Sequence, residues 1–401
     1  MKRLVLLFDG TWNDDTGRAG LTNIVALRQR IEVANRKSAT GAIKQRIFYD
    51  EGVGTAPGER LTGGALGTGL GENVRQGYRF LSQFYEQNGE STDEVYIFGF
   101  SRGGFTARSL AGFVAASGLL RRDLCDRTNL DRAWGYYRTP VKHRLPAEKA
   151  ALEKLCHPAV QIHFLGVFDT VGALGIPIGM GRNQFGSHAQ FHDTKLGSQV
   201  RVAVQAMALD ERRGPFVPAL WAFPDHNNNE WVEQVWFPGV HSDIGGGYRE
   251  SGNDTPMSAV VLDWMIRRIG KHTDLEIDRG RDLRPQDISV QTLHDSRGWY
   301  VGSRLRPMVR LVDATPLEPA DRRNVRTFAL NPPDQSMHER VHVSALQLWG
   351  REIAVGRRKV PYRPVNLRAA LDRIRSGQLK VIGYDAEEMA MADVQKLLPS
   401  A

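Results

Sequence analysis

The chain has 401 residues, of which 41% are hydrophobic, and Lys+Arg 53 against Asp+Glu 45 give a formal net charge of +8. This composition excludes wholesale disorder and suits one large α/β domain with insertions, or two domains. The positive excess is modest and forms no basic tract interleaved with aromatic residues, so we predict no nucleic-acid partner. Weak attraction to an anionic membrane or substrate stays open.

The N-terminal apolar run, Leu4 to Phe8, ends after five residues and no small-residue cleavage site follows it. It therefore predicts a buried strand rather than a signal peptide. No later apolar run approaches the length of a membrane span. Cys125 and Cys156 lack CxxC spacing, which favours reduced thiols in a cytosolic protein. The sequence by itself thus predicts a cytoplasmic location.

Short apolar strands alternate with amphipathic helices along the chain. In chain order we predict a strand at 4–8, a helix capped by Thr22, a strand at 46–49, a glycine-rich loop at 52–71, a helix at 72–87, a strand at 95–98, a helix after Ser101, and strands at 160–168 and 231–237, then a helix at 255–269. The segment 200–209 is ambiguous, because its valines alternate as in a strand while its alanines favour a helix. We prefer the helix there.

This alternation, with polar loops after the strands, predicts a mostly parallel, doubly wound α/β sheet with helical and loop insertions. We expect a catalytic domain at 1–275, with a charged helical insertion at 120–158 and a candidate lid loop at 170–198. Residues 276–401 are expected to pack on, or complete, the same domain. Chemistry is expected at the C-terminal ends of the strands.

The most informative motif is Gly99-Phe100-Ser101-Arg102-Gly103, which fits G-x-S-x-G between an apolar strand and a helical pattern. A serine flanked by glycines in a strand-to-helix turn is the context of a nucleophile elbow. The turn has no room for Cβ atoms beside the serine. We therefore predict Ser101 as the nucleophile and the backbone N–H of Arg102 as an oxyanion donor. A glycine-rich structural turn is the alternative.

A serine hydroxyl needs a base, and the base needs a carboxylate to orient it. In α/β-hydrolases the chain order is Ser, then Asp or Glu, then His, each after a strand. Asp169 and His241 follow predicted strands in that order after Ser101. We therefore predict Asp169 as the orienting carboxylate and His241 as the general base. A turn-capping Asp169 is the alternative.

Each of these two roles has rivals in the sequence. Asp243, two residues after His241, competes with Asp169 for the orienting role. His294 and His338 are rival bases, although single surface histidines are usually inert.

The second oxyanion donor is expected from the loop after the first strand, at Gly10 or Thr11. Asp9, which precedes them, is predicted to support the site. Its alternative role is simple turn formation.

No cofactor and no metal are predicted. The glycine-rich segment at 63–71 lacks the G-K-[ST] ending of a phosphate loop. A hard cation would need several carboxylates close together, and the sequence does not show that the available loop carboxylates meet at one point. These are Asp9, Asp14, Asp15 and Asp50.

Five blocks carry a family resemblance: 7–13, 99–103, 167–172, 209–213 and 236–248. Over roughly residues 1–270 the chain resembles the α/β-hydrolase domain family that includes the type VI secretion phospholipase effectors. The resemblance implies an α/β-hydrolase-like fold and a Ser-Asp-His hydrolase with Ser101, Asp169 and His241 as the triad. It suggests phospholipase A activity.

We therefore predict a serine ester hydrolase, with an acyl ester or phospholipid as substrate. Apolar side chains in the loop at 170–198 suit an acyl-binding wall or lid, although they could equally pack on the body of the protein. A non-lipid ester substrate, or a binding or signalling module with the same fold and no turnover, is the alternative. Peripheral membrane contact and export by a contact-dependent secretion system stay open, and the sequence leaves any protein partner unknown.

Overall fold

The computed structural model describes residues 1–10, 20–38, 44–52, 63–88, 91–171, 196–223, 228–249, 254–280, 283–297, 306–328 and 337–399. Their strands are β1 (Lys2–Phe8), β2 (Lys44–Asp50), β3 (Gln87–Asn88), β4 (Ser91–Thr92), β5 (Glu94–Phe100), β6 (Leu119–Leu120), β7 (Cys156–His157), β8 (Ile162–Phe168), β9 (Val200–Ala208), β10 (Trp231–Phe237), β11 (Thr292–Leu293), β12 (Met308–Arg310), β13 (Arg326–Phe328), β14 (Glu339–His342), β15 (Glu352–Val355), β16 (Arg358–Pro361) and β17 (Lys380–Ile382). Their α-helices are α1 (Asn23–Lys37), α2 (Gly63–Phe84), α3 (Arg102–Ser117), α4 (Arg127–Arg138), α5 (Pro146–Glu153), α6 (His241–Gly245), α7 (Met257–His272), α8 (Pro319–Arg322), α9 (Val343–Leu348), α10 (Val365–Arg375) and α11 (Met391–Leu397).

An eight-stranded sheet with the order β2-β1-β5-β8-β9-β10-β14-β17 forms the centre of the fold, and each neighbouring pair is parallel. The chain starts at β1, moves outward to β2, and then returns to β5 on the other side of β1. This reversal makes the sheet doubly wound, and sites in such sheets lie at the strand C-termini near the reversal. The predicted α/β-hydrolase-like sheet is therefore confirmed.

Helices cover both faces of the sheet, as the residues of β1 show. Leu4, Leu6 and Phe8 pack in one apolar cluster with residues of α2 and α3. Val5 and Leu7, which alternate with them, pack in a second cluster with residues of α1 and α7. Because successive side chains of a strand point to opposite faces, both faces of the sheet are buried core.

The helix predicted at 200–209 is wrong, because Val200–Ala208 is strand β9, paired with β8 and β10. Both faces of this strand are buried, so the polar alternation that marks a half-exposed strand is missing. Small alanines suit such a central position, where helices approach the sheet from both sides. Tertiary packing therefore overrides their helix propensity.

The glycine-rich loop predicted at 52–71 is also partly wrong. Helix α2 begins at Gly63 and runs to Phe84, so 63–71 are its first turns, while 53–62 lie outside the described residues. Leu70, Val74 and Tyr78, at helical spacing, are buried, and the last two pack in one apolar cluster with residues of β1. This buried face offsets the cost of about 1 kcal/mol that each glycine brings to a helix interior.

Residues beyond 275 contribute two strands to the central sheet, since β14 pairs with β10 and β17 pairs with β14. The segment 120–158 contains helices α4 and α5, of which α4 packs on α3. The division of the chain at residue 275 stays a prediction.

Within the described ranges, every helix is too short or too polar to span a bilayer.

Candidate active site

Ser101 lies in a strained turn between β5 and α3. Its backbone has φ 58° and ψ −122°, a conformation that few residues other than glycine adopt. A Cβ on Gly99 would overlap the carbonyl of Gly103, and a Cβ on Gly103 would overlap the carbonyls of Phe8 and Asp9. Both glycines are therefore required by close backbone approach. The turn holds the Ser101 hydroxyl at the C-terminal edge of the sheet, as in a nucleophile elbow.

His241 lies between this hydroxyl and the carboxylate of Asp169. Ser101 Oγ is 2.8 Å from His241 Nε2, and Asp169 Oδ2 is 2.6 Å from His241 Nδ1. A carboxylate only accepts hydrogen bonds, so it favours the tautomer with the proton on Nδ1. Nε2 is then left free to accept the proton of Ser101. The structure thus brings together the three residues predicted as the triad.

The environment of His241 keeps its imidazole neutral. The residue is 5% exposed, and its ring packs 4.7 Å from Phe100 and 4.9 Å from Phe216, measured between centroids. Burial lowers the pKa of His241 below its usual value, and the hydrogen bond and charge of Asp169 offset only part of this effect. A neutral imidazole at neutral pH can act as a general base.

Asp169 is fully buried and follows β8 with φ 38°. Its Oδ1 accepts the backbone N–H of Ala208 at 2.8 Å and Nη1 of Arg310 at 2.6 Å. Burial acts to raise the pKa of Asp169, but the charge of Arg310 and the bond to His241 outweigh it and hold that pKa well below its usual range. The carboxylate is therefore ionised at neutral pH.

Sequence reasoning missed Arg310, which ends strand β12 in the C-terminal part of the chain. It lies 141 positions from Asp169. The segment around it is rich in arginine and has weak periodicity, so no local signal distinguishes this arginine from its neighbours.

A second acidic side chain, Glu211, holds the backbone of His241. Its Oε2 accepts the His241 N–H at 3.2 Å and pairs with Arg213 Nη2 at 2.9 Å. The Arg213 guanidinium stacks 3.5 Å from the centroid of Phe216, whose ring edge contacts His241. The block at 209–213 therefore supports the histidine, and sequence reasoning assigned it no role.

The rival residues lie elsewhere. Asp243 Oδ1 is 2.6 Å from Nδ1 of His294, so these two residues pair with each other. The ring of His338 packs 5.6 Å from that of Phe223. In the structure it is Asp169, not Asp243, that reaches His241.

The predicted oxyanion donors are placed only in part. Arg102 is the first residue of α3, where backbone N–H groups lack intrahelical acceptors. The N–H of Gly10 donates to Asp9 Oδ1 at 2.6 Å, so in this structure it is already used. Thr11 lies outside the described residues.

Asp9 fixes the loop after β1. Besides the Gly10 N–H, its carboxylate accepts the Thr22 hydroxyl at 2.6 Å and the Tyr49 hydroxyl at 3.2 Å. Burial raises the pKa of Asp9 to about 6, although these hydrogen bonds act against the rise. Its role is therefore more than simple turn formation, and it supports the edge of the sheet beside the elbow.

Most of the candidate lid loop, residues 172–195, lies outside the described residues. At its start, Val171 bridges to Pro218 and Thr170 O accepts the N–H of Ala219. Within the described ranges, no three side chains of His, Cys, Asp or Glu converge as a ligand set for a metal ion.

A family model for the catalytic domain of Tle1-like type VI secretion system (T6SS) phospholipase effectors matches residues 2–268. An uncharacterised protein of Saccharomyces cerevisiae is 30% identical over 239 residues, which make up 54% of this chain and 32% of that protein. A solved structure of an uncharacterised protein from Pseudomonas aeruginosa has 19% identity and a TM-score of 0.45, over 72% of this chain and 49% of that chain. The structure of the Tle1 effector bound to the VgrG spike has 19% identity and a TM-score of 0.34, over 64% and 52%. The chain spans from about a third to about half of the length of these relatives.

Proposed function

Because the chain belongs to the family of Tle1-like type VI secretion phospholipase effector catalytic domains, we propose that it is a serine hydrolase of carboxylic esters. The observation that carries this proposal is the hydrogen-bonded series from Ser101 through His241 to Asp169. A serine, a buried neutral histidine and a buried carboxylate at these distances form the arrangement that activates a hydroxyl for acyl transfer.

In the proposed reaction, His241 Nε2 accepts the Ser101 proton as Oγ attacks the ester carbonyl carbon. The imidazolium then gives this proton to the leaving alkoxide, and an acyl-serine remains. Water attacks the acyl carbon while Nε2 takes its proton, and that proton returns to Ser101 as the carboxylic acid leaves. Asp169 accepts the Nδ1–H bond throughout and stabilises the transient positive charge of His241.

The tetrahedral intermediate carries a negative oxygen that needs two N–H donors. We assign one to Arg102, at the positive end of α3. The other comes from the loop after β1, at Gly10 or Thr11. Gly10 can serve only after its N–H leaves Asp9 Oδ1.

Phospholipids are the proposed substrate class, because the family is named for phospholipase effectors. Hydrolysis of a carboxylic ester of a phospholipid releases a fatty acid and a lysophospholipid, which is phospholipase A activity. The loop at 170–198 is the proposed acyl-binding wall, since it directly follows Asp169 and carries apolar residues such as Leu174, Ile176 and Ile178. Peripheral contact with the membrane that holds the substrate, and export by a contact-dependent secretion system, are proposed on the same family basis.

A fluorophosphonate probe tests the serine mechanism directly. We expect the wild-type protein to be labelled and Ser101→Ala to stay unlabelled. Ser109→Ala is the matched control, because Ser109 is a buried serine on α3, the helix that follows Ser101, and we expect this variant to be labelled like the wild type.

Mass spectrometry of lipids from phospholipid vesicles tests the substrate. Fatty acid with lysophospholipid is the expected pair of products, and diacylglycerol would contradict cleavage at a carboxylic ester. A properly folded wild-type protein that neither binds the probe nor forms a product would favour the binding module without turnover.

A further inference from the structure

Arg310 is buried at the centre of the candidate site, although it lies outside the 2–268 segment that matches the family model. Its Nη1 is 2.6 Å from Asp169 Oδ1, and its Nη2 is 3.1 Å from Asp169 Oδ2. The same two nitrogens donate to the carbonyl oxygens of Ala208 at 2.8 Å and Phe216 at 2.6 Å. The guanidinium therefore links the Asp169 carboxylate to the backbone at Ala208 and at Phe216.

The backbone of Arg310 is itself fixed. Asn366, on α10, donates from Nδ2 to the carbonyl oxygens of Arg310 at 3.0 Å and Leu209 at 2.9 Å. This amide ties the short strand β12 to the end of β9, where Ala208 lies. The position of the arginine is therefore set by the C-terminal part of the chain.

A planar guanidinium that binds both oxygens of a carboxylate fixes its plane as well as its position. Asp169 Oδ1 has Ala208 N and Arg310 as donors, and Asp169 Oδ2 has His241 and Arg310. Without the arginine, this fully buried carboxylate would keep one backbone donor and the imidazole.

The guanidinium of Arg310 lies behind the Asp169 carboxylate, so its charge reaches the histidine through Asp169. The charged groups that act on the imidazole of His241 are the two carboxylates of Asp169 and Glu211 and the guanidinium of Arg213. The rings that pack on it from β5 and from the loop after β9 are uncharged. On its own helix, Asp243 is paired with His294.

We infer that Arg310 is a positioning residue of the hydrolytic site, whose guanidinium holds the Asp169 carboxylate in plane and offsets its charge beside His241. This inference rests on the proposed role of His241 as the base. Arg310 touches neither the serine nor the reacting atoms and acts through Asp169. The C-terminal part of the chain thereby fixes the carboxylate of a triad that lies in the family-matched part.

Arg310→Gln removes the positive charge, and Arg310→Lys keeps it but loses the planar fork. A cation near His241 disfavours the imidazolium, so its removal raises the pKa of His241. For Arg310→Gln we expect the acidic limb of kcat/KM for a short nitrophenyl ester to move up by about one pH unit. We also expect kcat to fall about tenfold or more, with little change in KM. Arg310→Lys should keep the limb near its wild-type position and recover part of kcat.

Arg268→Gln is the matched control, because Arg268 is equally buried and pairs with Glu233 on another part of the sheet, with Nε 2.6 Å from Oε2. We expect this variant to lower the melting temperature and to leave the acidic limb in place. If Arg310→Gln changes only the melting temperature, as Arg268→Gln does, the role of Arg310 is structural and the inference is overturned. If Arg310→Gln does not fold, Arg310→Lys becomes the deciding variant. A wild-type kcat in Arg310→Lys would show that the planar guanidinium is not needed and would overturn the inference.

A direct titration of His241 separates this inference from the proposed function. Its imidazole resonances, assigned with His241→Ala, should titrate at higher pH in Arg310→Gln than in the wild type, whether or not any ester is turned over. An unchanged titration would overturn the inference. A wild-type protein that a fluorophosphonate does not label would instead contradict the serine mechanism.

Discussion

Asp169 Oδ2 lies 2.6 Å from Nδ1 of His241, although 72 positions separate the two residues in the chain. Strands β8 and β10, which precede them, are parallel and have only β9 between them. Residues that follow the ends of parallel strands meet at one edge of the sheet. This geometry selects Asp169 as the partner of His241 and leaves Asp243 to His294.

His241→Ala should reduce ester hydrolysis about as much as Ser101→Ala, because members of a triad act as a unit. A loss of about 10⁴-fold or more in kcat is expected from such changes. His294→Ala and His338→Ala are the controls, since His294 is bonded to Asp243 and His338 packs on Phe223, and each should keep most of the activity. An inactive His338→Ala beside an active His241→Ala would show that the base is misassigned. The rates are measured with a nitrophenyl ester.

Asp169→Asn should lower kcat strongly, because an amide stabilises the wrong tautomer of His241. The equivalent change in the serine protease triad costs about 10⁴-fold. The structure adds a second effect, since Arg310 would lose its ionic partner in a buried site, which costs roughly 3–5 kcal/mol. We therefore expect a lower melting temperature as well. Asp243→Asn is the comparison and should keep the rate, while the opposite ranking of the two variants would assign the orienting role to Asp243.

Gly103→Ala should destabilise the protein and lower its activity, because the new Cβ would overlap the carbonyl oxygens of Phe8 and Asp9 and displace the elbow. Gly135→Ala, in α4, is the control. A Cβ there meets no atom within 4 Å, so the higher helix propensity of alanine should stabilise the protein by up to about 1 kcal/mol. Thermal melting and ester hydrolysis of both variants check this. Equal melting temperatures for Gly103→Ala and the wild type would argue against the close backbone approach at Gly103.

The acidic limb of kcat/KM should lie below pH 6.5, the ordinary pKa of histidine. Burial lowers the pKa of His241, so the neutral, active base persists to lower pH. Because Asp169 raises the pKa of His241 in the wild type, the residual activity of Asp169→Asn should show a limb at still lower pH. The pH–rate profiles of the wild type and of Asp169→Asn check the direction of this shift. A wild-type limb above pH 7 would mean either that another group controls the rate or that His241 is largely protonated at neutral pH.

Much of the fold follows from local sequence pattern. Strand β10 has the bounds predicted for it, 231–237, and Thr22 caps α1 by accepting the Val25 N–H at 3.1 Å. The elbow is equally local, since glycines and one serine at fixed spacing specify it. The family resemblance seen in five sequence blocks is confirmed by the match over residues 2–268.

Local patterns of residues predict the α/β alternation, the elbow and the chain order of serine, carboxylate and histidine, because these depend on neighbouring residues and on strand ends. The central strand Val200–Ala208 becomes clear only from the three-dimensional packing, since burial on both faces hides strand periodicity. The same packing determines which carboxylate meets His241 and brings Arg310 to Asp169 from 141 positions away. A contact between distant segments depends on how sheet edges and loops converge, and no local pattern of residues encodes that convergence.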